Sequence, residues 1–151
     1  MTWMVIRVRG TIHARHDLLQ TLQHLHLTRP NHATLLPERP ELRGMLTKVQ
    51  GYVTWGEAEP ETVALLLKER GVAPDGRRLS APAEDGTPAP DLGELAKTVT
   101  AQGLLQAPGV RPLFRLKAPK GGWRSTKRPY GRGGALGYRG RAINELARRM
   151  M

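Results

Sequence analysis

Over the first 56 residues the spacing of the apolar positions switches from two to about four and back again, twice, and few folds accept that pattern. "TWMVIRVRG" alternates, with Met4, Ile6 and Val8 on one side of an extended chain and Val5, Arg7 and Arg9 on the other. "HDLLQTLQHLHL" then sets Leu18, Leu22 and Leu25 on one helical stripe with Leu19 beside it, and Asp17 stands where an N-cap is expected. "RPNHATLLP" carries turn residues and then a short strand, Ala33 to Leu36, closed by Pro37. "PELRGMLTKVQGY" returns to helical spacing, with Leu42, Met45, Leu46 and Val49 inward and Gly51 as the stop. "YVTW" supplies a third strand. This order, with short connections, predicts a small sheet covered on one face by two helices.

The rest of the chain reads as additions to that unit. "EPETVALLLKERG" predicts a helix within 57–72, with Pro60 in its first turn, Val63, Leu66 and Leu67 inward, and Gly71 at its end. Residues 73–91 hold Pro74, Pro82, Pro88 and Pro90 and little that is large and apolar, so they are expected to form an extended surface loop. From 92 to 151 a further segment follows. Asp91 and Glu94 have capping-box spacing ahead of a helix with Leu92, Leu95 and Val99 inward and Gly103 as terminator. "RPLFRLKAP" alternates Phe114 and Leu116 with Arg115 and Lys117, as a half-buried strand does. "RAINELARRM" closes the chain with Ile143, Leu146, Ala147 and Met150 at helical spacing. At 151 residues all of this is expected to form a single globular unit of the α+β class.

Charge is distributed unevenly along this layout. Residues 111–151 carry twelve of the 24 Lys and Arg but only one of the 13 acids, Glu145, so the whole net charge of +11 sits there. Residues 1–110 are neutral, with twelve bases against twelve acids. Such asymmetry reads as a surface for a polyanion rather than as a solubility device. The segment 111–141 has the chemistry to match. Lys117, Lys120, Arg124, Lys127, Arg128, Arg132, Arg139 and Arg141 can neutralise phosphates and release counterions. Seven glycines between 121 and 140 let the main chain come close to a sugar–phosphate backbone. Trp123, Tyr130 and Tyr138 offer stacking faces for unpaired bases. The combination favours structured RNA over duplex DNA, since no helix-turn-helix or zinc-finger pattern is present to read a major groove. With a strand before it and an amphipathic helix after it, the basic segment is expected to be a loop laid along its partner, not a free tail.

Other function classes lack their residues. Ser80 and Ser125 are the only serines and neither lies in G-x-S-x-G. "GRGGALG" has its third glycine one place too late for a dinucleotide fingerprint and lacks the G-K-[ST] ending of a P-loop. No cysteine is present, and His13, His16, His24, His26 and His32 stand without an accompanying carboxylate cluster, so no metal, cofactor or small-molecule substrate is expected. Glu57, Glu59 and Glu61 straddle a helix start, where the helix dipole accounts for them. No apolar run reaches membrane-spanning length and the N-terminus lacks a signal-peptide cleavage pattern, so a cytoplasmic setting is expected.

Three blocks carry a resemblance. "RVRGTIHARHDLLQTLQHLHLTRPNHATLLP", "RGMLTKVQGYVTWGE" and "FRLKAPKGGWRSTKRPYGRGGALGYRGRAINELARRM" resemble the archaeal form of the large-subunit ribosomal protein L-thirty family, whose eukaryotic relatives are called ribosomal protein L-seven. The first two blocks correspond to the short bacterial form, about residues 1–56, and the third to the extension shared by archaeal and eukaryotic members. The absence of a long basic N-terminal arm points to an archaeal member. The resemblance implies a β-α-β-α-β core with a three-stranded antiparallel sheet and two helices on one face, similar to a ferredoxin-like fold, plus a C-terminal α/β extension with a basic Gly-rich loop. It implies a structural, non-catalytic role in the large ribosomal subunit. The partners are then 23S-type rRNA, with 5S rRNA left open, and neighbouring ribosomal proteins. It also implies that Arg29, Asn31, His32, Arg43 and Lys48 face RNA, with Gly44 letting the second helix approach it closely. On this reading the neutral core folds alone and the basic segment orders against rRNA.

Overall fold

One central strand, buried along its whole length, organises the molecule. The computed structural model describes residues 1–81, 90–103 and 109–151. Among these, the strands are β1 (Thr2–Arg7), β2 (His32–Pro37), β3 (Val53–Glu57), β4 (Phe114–Arg115), β5 (Ser125–Pro129) and β6 (Gly134–Tyr138). The α-helices are α1 (His16–His24), α2 (Pro40–Lys48), α3 (Pro60–Arg70), α4 (Leu92–Gln102) and α5 (Ala142–Met150). The sheet runs in the order β4-β2-β1-β3-β6-β5.

The expected three-stranded antiparallel unit lies at its centre, with β1 between β2 and β3 and Met4 abreast of both Leu35 and Gly56. The sheet does not stop there: β4 adds antiparallel to β2, and β6 adds parallel to β3. Three strands therefore become six. The alternation of β1 sorts its side chains between two cores. Trp3 and Val5 pack with Leu22, Leu25, Leu46 and Val49, from α1, α2 and the residues that end them. Met4 and Ile6 pack on the opposite face with Val63 and Leu66 of α3, Val99 of α4, and Ile143 and Leu146 of α5. Both faces are covered, whereas the sequence pattern suggested one. Residues 1–56 alone would leave Met4, Ile6, Ala33 and Leu35 bare, so the later helices complete the second core.

Local details differ from the sequence expectations for identifiable reasons. Asp17 is not the N-cap of α1, which starts after Arg15 with no side-chain cap. Its carboxylate lies in the first turn, where the helix dipole favours it, and faces Arg15 at 3.4 Å and Lys48 at 4.0 Å. Asp91 does cap α4, accepting from the Gly93 N–H at 2.9 Å. Val8 leaves the Met4–Ile6 face and joins Ala135 and Leu136 in a small cluster of its own. Within the expected Pro-rich loop, 82–89 lie outside the described residues. The part before them doubles back, with the Ala73 N–H on the Arg77 carbonyl at 2.8 Å, and it buries Leu79. Gly71 ends α3 at φ −64, so no left-handed turn requires it; a Cβ there would strike the Leu67 carbonyl and the Leu79 side chain.

Candidate nucleic-acid interface

Strand register gathers several of the basic residues at one end of the sheet, while Arg139 and Arg141 follow the other end of β6. Arg7 at the end of β1 is abreast of Val53, His32 at the start of β2 is abreast of Arg115, and Ser125 opens β5 beside Gly134. Arg9, Arg29, Lys117 and Arg124 follow or precede these strand ends along the chain, so they belong to the same end. At the opposite end stand Glu38, Glu57 and Glu59, with Trp3, Trp55 and Tyr138 around a cleft between them.

The basic end has a half-buried centre. His32 lies between Arg115 on β4 and Arg7 on β1, and the Asn31 N–H donates to the Arg7 carbonyl at 2.8 Å. Arg7 is only 1% exposed; its Nη1 donates to the Leu27 carbonyl at 2.8 Å and its Nε to the Arg9 carbonyl at 2.9 Å. Among the described residues no carboxylate lies within ion-pair distance of Arg7, Arg29 or Arg115. Burial, reinforced by the charges of Arg115, Arg29 and Arg7, holds the His32 pKa below its usual value and keeps the ring neutral at pH 7. Arg7 Nη2, Asn31 Oδ1 and His32 Nδ1 are buried without hydrogen-bond partners among the described residues. Unpaired polar atoms among uncompensated cations are costly in a free protein, and an anion or nucleotide would relieve that cost.

The basic segment itself is not the loop expected from its composition. Residues 125–129 and 134–138 are strands, joined through a 3₁₀ turn at Tyr130–Arg132. The connection is possible because Gly133 takes a left-handed conformation (φ 78) and because any Cβ on Gly134 would overlap the Arg128 backbone. β5 is exposed throughout, so Lys127 and Arg128 project from an edge strand. Lys117, Lys120, Arg124, Arg132 and Arg141 are also exposed. Arg139 differs. Its guanidinium stacks on Tyr130 at 4.8 Å, its Nε donates to Thr54 Oγ1 at 2.7 Å and its Nη2 to the Ala135 carbonyl at 2.8 Å. Trp123 is half-buried and packs on both the helical core and the Val8 cluster. Arg139, Tyr130 and Trp123 therefore organise the segment before they touch anything else.

Other expected residues lie apart. Gly44 and Lys48 line a groove between α1 and α2 that also holds Asp17 and Glu41. Arg43 and Tyr138 share the acidic cleft, where the Tyr138 hydroxyl donates to Glu57; that bond raises the Tyr138 pKa. Among the described residues no group of three or more His, Asp or Glu is placed to hold a metal, and no helix is long and apolar enough to cross a membrane.

The model of the family described as ribosomal protein L30p/L7e matches residues 3–53. A large ribosomal subunit protein uL30 from Methanosphaera stadtmanae is 38% identical over 151 residues, covering 99% of each chain. Its counterpart from Methanopyrus kandleri is 42% identical over 149 residues, covering 95% of this chain and all of the relative. That from Ignicoccus hospitalis is 39% identical over 154 residues, covering 99% and 97%. The chain belongs to the ribosomal protein L30p/L7e family.

In this L30p/L7e member the matched stretch 3–53 runs from β1 to the first residue of β3, while the archaeal relatives extend over the rest. Three residues of the candidate interface carry no signal in the sequence that marks them. Arg7 reads as an outward residue of an amphipathic strand, yet it is buried, with its guanidinium on the Leu27 carbonyl just after α1. Arg115 was read as the solvent face of a strand, and only its pairing with His32 reveals its setting. Arg149, on the last turn of α5, flanks Lys120 and donates to its carbonyl at 3.5 Å.

Proposed function

We propose that the chain is a structural component of the large ribosomal subunit in the cytoplasm, which binds and stabilises folded 23S-type rRNA and catalyses nothing. Residues 1–56 serve as the ribosomal-protein core, 57–72 as its covering helix, and 92–151 as the extension bearing the basic segment 111–141. Neighbouring large-subunit proteins are its other partners. The names of the archaeal relatives support the assembly. The observation that carries RNA as the ligand is the unpaired cationic end of the sheet, where Arg7, Arg29 and Arg115 surround a neutral His32 with no carboxylate. A polyanion supplies the missing charge there, and the exposed bases of β5 extend the same contact.

Binding of the full chain to purified 23S-type rRNA as a function of salt tests this. With about six to ten phosphate contacts, affinity falls by roughly 10³–10⁵ between 50 and 200 mM salt. A flat salt dependence, or sedimentation of the chain away from the large subunit after a moderate-salt wash, would overturn the reading.

A further inference from the structure

We propose that the cavity enclosed by the Gly121–Arg124 turn, the Tyr130–Arg139 pair and α5 holds one unstacked guanine base of an RNA strand, with Glu145 reading its Watson–Crick edge. The inference rests on the RNA-binding reading above and narrows it to one pocket and one base. The cavity measures about 270 Å³, just below the roughly 300–1,000 Å³ that holds drug-sized ligands, which suits a single base and not a folded helix.

The walls are built for a flat ring with a charged flank. Trp123 is anchored from below by two apolar clusters, and Tyr130 is fixed by the guanidinium of Arg139. Rigid rings of this kind stack an extruded base at little entropic cost. Arg124 and Arg149 also line the cavity, both exposed and without a carboxylate partner among the described residues, so each can take a flanking phosphate. Gly121 and Gly122 have φ of 83 and 74, and nothing lies within 4 Å of a Cβ built on either; the mouth is open backbone that a ribose can approach.

Glu145 decides the base. It is the only carboxylate from 111 to 151, it lines this cavity beside three arginines, and it forms no ion pair among the described residues. The dipole of α5 favours an acid in that first turn, but it also fixes a pure acceptor on a wall otherwise suited to phosphate. Guanine alone presents two adjacent donors, N1–H and N2–H, to both oxygens of a carboxylate. Adenine and cytosine offer an amino group beside an acceptor nitrogen, and uracil offers one imino group between two carbonyls. A carboxylate therefore selects guanine.

The full-length protein, ¹⁵N-labelled and in low salt, is titrated with the tetranucleotides UUGU, UUAU, UUCU and UUUU while the Trp123 indole N–H is followed, that signal being assigned with Trp123→Phe. UUGU is expected to saturate the shift at a concentration about tenfold below the others. Glu145→Gln, at an exposed side chain that bonds to nothing in the fold, is expected to bring UUGU to the level of the other three. Equal titration of all four by the wild type, a guanine preference that survives Glu145→Gln, or a silent Trp123 overturns the inference. Binding to 23S-type rRNA measured on the same samples separates the two levels. Retained rRNA binding with a silent cavity removes only the guanine pocket, whereas loss of both removes the proposed function as well.

Discussion

At one end of the sheet Arg7, His32 and Arg115 stand side by side with no carboxylate paired to them among the described residues, while at the other the buried Asn144 of the α5 corner has its side-chain amide fully engaged. There Asn144 accepts from the Glu59 N–H and donates to the Glu57 and Arg141 carbonyls, each at 2.9 Å. Glu59 also meets Arg148 at 3.8 Å, and Glu57 accepts from Tyr138. The same strands run through both ends. The difference teaches that the satisfied end belongs to folding, where polar groups close the α5–β3 corner, and that the proposed RNA contact falls at the end whose polar groups the fold leaves unpaired.

The largest expected effect breaks the comparison at its charged end. Reversing two exposed residues together, Arg29→Glu with Arg115→Glu, is expected to lower affinity for 23S-type rRNA by about a hundredfold at moderate salt, since two charge-assisted contacts become repulsive. Glu38→Lys at the opposite end is expected to change it by less than about threefold. Filter binding on both variants checks this, and equal losses at the two ends would dissolve the contrast.

The next effect runs the other way. Asn144→Ala removes the acceptor of the Glu59 N–H and the side-chain donor to the Glu57 and Arg141 carbonyls in a corner where Asn144 is 3% exposed, and it is expected to cost about 2 kcal/mol of stability, read as a lower urea midpoint. Its rRNA affinity below that midpoint should match wild type. A loss of affinity with unchanged stability would instead place this corner in the interface.

Legibility in the sequence followed the same division. Apolar periodicity located β1, α1, β2, α2 and β3 because each helix buries one stripe and each strand alternates its side chains between faces, and Leu22, Leu46, Val63 and Leu66 lie where their spacing put them. Composition located the basic segment, because phosphate binding needs residue types more than positions. Neither signal could show what depends on pairing between distant parts of the chain. The burial of Arg7 comes with the turn after α1, whose Leu27 carbonyl takes its guanidinium, and Asn144 is a polar residue whose Glu57 and Glu59 partners lie more than eighty residues away. The strands of the basic segment were invisible for a related reason. "STKRP" has no apolar alternation, and it becomes an edge strand only because Gly134 lets its neighbour pass against Arg128.

The smallest expected effect sharpens the comparison within a single residue. Gly44 sits on an exposed turn of α2, and a Cβ built there meets nothing within 4 Å. The free fold gains nothing from glycine at this position, and a glycine inside a helix costs about 0.5–1 kcal/mol relative to alanine. Gly44→Ala is therefore expected to raise the stability of the isolated chain by about that amount, measured by thermal or urea unfolding. If RNA approaches α2 in the groove beside Lys48, the added methyl group is in the way, and affinity should fall by about fivefold, a comparable free energy. The two signs together are the test. A variant that is more stable and binds equally well would move α2 out of the interface and leave Lys48 to its contact with Asp17, confining RNA to the sheet end and the basic segment.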